Sequence, residues 1–468
     1  MAINFWDSEA WGLLNLVGVL LLSLLFANLL KKNIGFLRKS LIPTSVLGGV
    51  LLLIVAVIYE KAAGGASFFD TAFFGGNGSA SLEVLTYHCL ALGFIAVTFK
   101  PSERALTRKR SSEVFNTGVT AVAGNLVQGV LGMGITLIAA LILKDFFSSA
   151  GILLPFGYGQ GTGQALNWGN TYETDYGFAG GKTFGLTIAA FGFLSASIGG
   201  VIHLNILRHK KKITVPNDDE DKILLSEEVS ASDEIPMNGS IDKLTVQLAF
   251  VFVVYIICGV VMKVLGGLAE GLKSTIYGFN FLFGVLIATL FKVINKFLRK
   301  KKIVKKQYFS GFLMARISGF FFDLMIVAGI AAIKISALKN YWPVIIILGI
   351  VGALSTYYYV RFVCRKMFPE YSEEQFLVMY GMLTGTASTG MILLREIDPE
   401  FSTPAAENLV YQNLPAIVFG FPMMLLAGLA PKQPLLTFFI LIGFLIAMNV
   451  ILFISYRVAK KNALKSRE

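Results

Sequence analysis

The hydrophobic pattern of the chain is a succession of apolar stretches of roughly 20 residues, the length that crosses a lipid hydrocarbon layer, parted by short polar segments. Spans are predicted at about residues 12–30, 42–60, 84–99, 115–143 and 183–207. A second set follows at about 244–265, 275–294, 309–335, 342–364, 407–430 and 434–456. The pattern thus predicts an all-α polytopic membrane protein with about 11 transmembrane helices. Two glycine- and threonine-rich segments interrupt it. The first is Gly157-Tyr158-Gly159-Gln160-Gly161-Thr162-Gly163-Gln164, and the second is Tyr380-Gly381-Met382-Leu383-Thr384-Gly385-Thr386-Ala387-Ser388-Thr389-Gly390. Glycine is poor in helix interiors. Unwound backbone at membrane depth survives only where protein or a water-filled cavity satisfies its polar groups. Both segments are therefore expected to be re-entrant hairpins, over about 152–175 and 375–398, each entering and leaving on one side.

The two segments occupy similar places in two halves of the chain, and corresponding breaks of this kind point to a transporter's binding site. The predicted organisation is a first inverted repeat over 1–207, a cytoplasmic linker over 208–243, a second inverted repeat over 244–430, and an extra helix with a basic tail over 431–468. Short echoes accompany this order. Val46-Leu47-Gly48-Gly49-Val50-Leu51 resembles Phe281-Leu282-Phe283-Gly284-Val285-Leu286, and Gly161-Thr162-Gly163 resembles Gly385-Thr386-Ala387. The linker opens with His209-Lys210-Lys211-Lys212 and continues with Asp218-Asp219-Glu220-Asp221, a mixture that buries too little apolar surface to fold alone.

Charge orients the chain. With the N-terminus outside, the inside loops are 31–39, 100–110, 208–243, 292–306 and 361–366 with the tail from Arg457, all rich in Lys or Arg, while the outside loops are poor in them. This puts the C-terminus in the cytoplasm, the first hairpin on the outer side and the second on the inner side. An odd number of spans in the first half inverts the second. The net charge of +12 belongs to these loops and implies no nucleic acid. Composition agrees: 55% of residues are hydrophobic and 15% charged, against roughly 25% charged in soluble domains. Cys89, Cys258 and Cys364 are isolated in apolar segments, so neither a disulfide framework nor a metal centre is expected. The N-terminus, with Trp6, Asp7, Glu9 and Trp11, reads as an interfacial start rather than a cleaved signal.

A hairpin tip exposes backbone N–H groups at one half-helix and carbonyls at the other, suited respectively to an anion and to a small hard cation. Gln160, Thr162 and Gln164 supply polar side chains at the first tip, among Gly159, Gly161 and Gly163. Thr384, Thr386, Ser388 and Thr389 supply hydroxyls at the second, beside Gly385 and Ala387. The alternative for these small residues is close helix–helix packing. Asp323 lies mid-span, where a carboxylate is expensive and marks a cation ligand, a proton carrier or the partner of a cation. With Thr384, Thr386 and Ser388 it makes the candidate cation set. Arg316 either shares its helix face or extends to the cytoplasmic surface. Arg395 either binds a substrate carboxylate or is an inside-loop charge. Asn125 and Gln128 either line the cavity or join helices, and Lys182 reads as interfacial. No phosphate-binding motif and no nucleophile–base pair is found, so neither ATP-driven transport nor an enzyme is expected.

These residues resemble the bacterial sodium/glutamate symporter family, from about Phe36 to about residue 430. The resemblance is carried by Phe36-Leu37, Ile42-Pro43 and Gly48-Gly49, then by Gly159-Gln160-Gly161-Thr162-Gly163, Tyr176-Gly177-Phe178, Ala190-Phe191-Gly192 and Gly199-Gly200. It implies sodium-coupled uptake of an acidic amino acid, sodium as coupling ion with no other cofactor, two inverted halves, a homodimer in the bacterial inner membrane, and an elevator movement of the hairpin-bearing part. Three features depart from the family pattern. Gln160 stands where the family has His in Gly-His-Gly-Thr-Gly, Asp323 has no counterpart, and the span at 434–456 is added. A carrier for another carboxylate, a proton-coupled carrier using Asp323, and a channel or membrane sensor are the competing readings.

Overall fold

The computed structural model describes residues 4–100, 108–209, 241–270, 273–338, 341–398 and 402–465. Most of the expected linker, and the greater part of the inside loop before residue 108, lie outside the described residues. Seventeen α-helices follow one another: α1 Ser8–Asn33, α2 Gly35–Lys39, α3 Thr44–Ala62, α4 Gly78–Phe99, α5 Arg108–Ile142, α6 Leu153–Tyr176, α7 Gly181–His209, α8 Lys243–Leu268, α9 Lys273–Gly278, α10 Asn280–Lys300, α11 Gly311–Ala331, α12 Trp342–Met367, α13 Ser372–Thr384, α14 Ala387–Arg395, α15 Ala405–Tyr411, α16 Asn413–Leu429 and α17 Pro434–Lys465. Among the described residues ten helices are long and apolar enough to cross a membrane. An eleventh is formed if Ala405–Tyr411 and Pro415–Leu429, bent by 52°, act as one span. The bend falls before Pro415, whose ring removes a helical donor. Elsewhere helix ends follow local chemistry. Asp242 caps α8 by accepting from the Thr245 N–H at 3.1 Å, and Gly177 closes α6 in the left-handed region at φ 71°.

Two compact units emerge, and neither coincides with a half of the sequence. The first holds α1 up to Leu24, α3 from Gly48, α4, and α8 to α11. Its helices meet through small residues. A Cβ on Gly93 would stand 2.6 Å from the Phe322 ring, and one on Gly284 would stand 2.8 Å from Ile95. Polar ties join them as well: Asn280 donates to the Tyr87 carbonyl at 3.0 Å, and Gln247 donates to the Tyr308 carbonyl at 2.7 Å.

The second unit holds α1 from Leu25, α2, the first turn of α3, α5 to α7, and α12 to α17. Both broken helices belong to it. In α6 the break is Gly161, at φ 77° and ψ −169°, a conformation that L side chains rarely adopt. The chain folds back there. Phe156 and Trp168 would lie about 18 Å apart on a continuous helix, yet their ring centroids are 5.6 Å apart. In the second broken helix, α13 and α14 flank Gly385 and Thr386. Their arms touch at Gly381 and Gly390, where a Cβ on Gly381 would stand 2.7 Å from the Gly390 Cα. A Cβ on Gly390 would overlap the Val378 carbonyl oxygen.

The base of α13 is anchored by charge. Glu373 accepts from His203 Nε2 at 2.9 Å and lies 3.9 Å from Arg361 and 3.7 Å from Arg365. His203, fully buried, bonds Tyr357 through Nδ1 at 2.8 Å. This ties α7 and α12 to the entry of the second broken helix.

Two stability measurements test this packing. Gly390→Ala should destabilise the purified protein by about 1–3 kcal/mol, the usual cost of overpacking. Gly443→Ala, where a Cβ meets nothing within 4 Å, should be neutral or stabilising by up to about 1 kcal/mol. Equal melting temperatures for the two variants would contradict the close approach of the arms. Glu373→Ala should cost about 1.5–3 kcal/mol, the range for a hydrogen bond to a charged group; an unchanged thermal transition would remove the anchor from the account.

Candidate functional site

The two broken helices expose polar backbone inside an otherwise apolar bundle, and the side chains around them are those that can satisfy it. The last four carbonyls of α13 lack intrahelical donors, and so do the first N–H groups of α14 lack acceptors. Thr386 serves the second set: it is the N-cap of α14, accepting from the Thr389 N–H at 3.3 Å, with the two hydroxyls 3.3 Å apart. Thr384 turns its hydroxyl back to the Tyr380 carbonyl at 2.7 Å.

Helix α5 meets both tips. Asn125 presents Oδ1 to Gly159 of the first, so closely that a Cβ there would overlap it. One turn later, Gln128 donates from Nε2 to the Leu383 carbonyl of the second tip at 2.9 Å and to Thr356 Oγ1 of α12 at 2.8 Å. Gly124 makes room for the Leu383 side chain, to which a Cβ would come within 2.7 Å. Helix α7 also meets both. A Cβ on Gly192 would stand 2.6 Å from the Thr384 carbonyl oxygen and 3.2 Å from the Tyr158 Cα. Two tyrosines, one from each broken helix, converge on Ser195 of α7. Tyr158 bonds its hydroxyl at 3.0 Å and also donates to the Gly349 carbonyl at 2.6 Å, and Tyr380 donates to the Ser195 carbonyl at 3.0 Å.

The structure therefore gathers Gly159, Gln160, Gly161, Thr162, Gly163, Gln164, Thr384, Gly385, Thr386, Ala387 and Thr389 into one unit with Asn125. Thr162 and Gln164 are buried, whereas Gln160 is half-buried and Ala387 exposed. Gln164 accepts weakly from Asn167 at 3.5 Å, and its Nε2 donates to no group among the described residues. Ser388 is in α14, with its side chain outside the described residues. Two further candidates lie elsewhere in the described fold. Arg395 ends the nine-residue α14 and is exposed, about 12 Å beyond the break at the helical rise. Asp323 is on an exposed face of α11, in the first unit. Arg316, also exposed, lies over the Phe312 ring at 5.1 Å. Lys182 sits 3.8 Å from Glu173.

Gln128, Gly192 and the Tyr158–Ser195–Tyr380 contacts complete the site. Gln128 carried a signal, an amide in mid-span, that left lining and joining equally open. The tyrosines lie inside the glycine-rich segments, but their shared partner is distant in sequence.

No curated protein sequence matches this chain. A profile described as sodium/glutamate symporter matches residues 12–387 of the 468. It begins earlier than the resemblance at Phe36, taking in the first span, and ends at the tip of the second broken helix rather than near residue 430. With both tips inside a match of that extent, the chain belongs to the sodium/glutamate symporter family.

Proposed function

We propose that this sodium-coupled transporter imports a small anionic solute, glutamate by default, bound between the two broken-helix tips. The observation that supports it most is α5 touching both tips from residues three apart, Asn125 at Gly159 and Gln128 at Leu383. A single helix face then senses whatever sits at either tip. The unused Nε2 of buried Gln164 is a donor suited to a carboxylate oxygen. The N–H groups opening the second arm of α6 and α14 add the positive end of a helix dipole. Gln160, in the place of the family's histidine, keeps a donor there without a titratable ring.

In this reading the broken helices are re-entrant hairpins within inverted halves. The order of three candidate spans, a long helix, a broken helix and a further helical span occurs twice along the described chain, and each compact unit draws from both copies. The N-terminus is outside and the C-terminus cytoplasmic, in a bacterial inner membrane. The unit carrying both tips is the part that moves, elevator-fashion, against the other, in a homodimer. Coupling requires that sodium bind the two access states unequally or alter substrate affinity; a ligand equal in both states shifts nothing.

Uptake of radiolabelled glutamate into proteoliposomes should occur only with an inward sodium gradient. Accumulation with equal sodium on both sides, or uptake by folded protein of other carboxylates alone, would overturn the coupling or the substrate respectively. Thr386→Val keeps the shape but removes the cap of α14, at a cost of about 1 kcal/mol. It should raise the sodium concentration for half-maximal uptake severalfold, and Thr386→Ser should restore it. Indistinguishable sodium curves for wild type and Thr386→Val would take Thr386 out of the site.

A further inference from the structure

Not every polar atom around the tips is used by the protein. Gln128 is fully buried, and its amide orientation is fixed: the Leu383 carbonyl can only accept, so Nε2 must face it. Oε1 is therefore turned elsewhere, and it accepts from no group among the described residues. On the same helix, Asn125 Oδ1 is likewise buried and accepts from none. Helical rise separates the two residues by about 4.5 Å along the axis. An orphaned buried acceptor is costly, and two of them on adjacent turns, at the two tips of one transporter, ask for a shared positive partner. The carbonyl end of α13 lies beside Gln128 and adds oxygen of the same kind.

We propose that Asn125 Oδ1 and Gln128 Oε1, together with carbonyl oxygens at the C-terminal end of α13, ligate the coupling sodium ion. The proposal rests on the transport reading above and assigns its cation to α5 rather than to Asp323. The donor set is all oxygen and carries no formal charge. That suits a monovalent hard ion, whose binding at broken helices uses unwound carbonyls and half-helix C-termini. Calcium would call for carboxylates. An ion held there draws on Asn125, which rests on the first tip, and on Gln128, which holds the second, so its arrival fixes both tips together. The negative end of the α13 dipole adds to the attraction.

The test is thermal unfolding of the full-length protein in detergent, without substrate, over a sodium titration at constant ionic strength with potassium as the replacement. Wild type should be stabilised saturably by sodium and not by potassium. Asn125→Ala removes Oδ1 without breaking any protein hydrogen bond shown for that side chain. It should raise the half-saturating sodium concentration at least tenfold while leaving the transition in potassium nearly unchanged. Asn125→Asp, which puts a charged oxygen in the same place, should lower that concentration. Gln128→Met should also abolish the sodium response, with some loss of stability in potassium because Leu383 and Thr356 lose their donor. A wild-type sodium response that survives in Asn125→Ala and Gln128→Met would overturn this assignment alone and leave water as the partner of the two oxygens. A wild type that neither gains stability from sodium nor needs it for uptake would overturn the transport reading itself.

Discussion

A backbone that leaves helical geometry inside a membrane must find partners for the N–H and carbonyl groups it frees, because lipid offers none. The second unit is organised around that requirement at two places. Gly161 lets the first broken helix reverse, and Gly385 with Thr386 lets the second do so. Each solution then constrains the helices beside it. Glycines on α7 and within the arms admit backbone at distances no other residue permits, Gly192 against Thr384 and Gly381 against Gly390. Amides on α5 supply the polar groups that an apolar span would lack.

The spans and the two breaks were legible in the sequence, because length, apolarity and glycine content are local properties. Against eleven expected spans, the described residues hold ten helices long and apolar enough to cross a membrane, and an eleventh if the pair bent before Pro415 acts as one. What was not legible is which spans keep company. Most of these helices carry apolar residues around much of their circumference, so periodicity does not say which face meets protein. Asp323 illustrates the consequence. An intramembrane carboxylate marks a position worth explaining, but only tertiary structure shows that its helix belongs to the unit without the tips. Arg395 stands at the far end of the nine-residue α14, a placement set by where that helix begins and ends. Gln128 shows the converse, since one of the two readings the sequence left open, joining helices, is seen in its bonds to Thr356 and Leu383. Its nitrogen joins helices, and its oxygen is left over.

The second broken helix is held unevenly. Its base has Glu373 against His203 and two arginines, a charged anchor in a half-buried setting. Its tip has neutral contacts: a cap from Thr386, one amide from Gln128, and a sulfur contact in which Gln412 donates to Met382 at 3.3 Å. Neutral bonds of this kind each contribute about 1 kcal/mol net, so the individual polar contacts at the tip are weaker than those at the base. The first broken helix is braced differently, by Tyr158 on Gly349 and Ser195 and by Tyr172 on the Ala427 carbonyl at 2.7 Å.

A cation between such tips changes this balance more than any neutral contact could. Interactions with a charge are stronger in a poorly screened interior than in water, and the oxygens that would receive it are already desolvated, so little further cost attends binding. The ion's own dehydration is the opposing term, and it is offset only where several oxygens converge. Convergence depends on both tips being in place, which makes ion occupancy and tip order the same event. On the proposed reading, a substrate carboxylate approaching afterwards would meet ordered N–H groups and a positive ion rather than loose backbone. Its affinity would then rise with sodium for two reasons, direct attraction and ordering already achieved. Either alone makes the coupling reciprocal, so substrate must tighten sodium by the same factor.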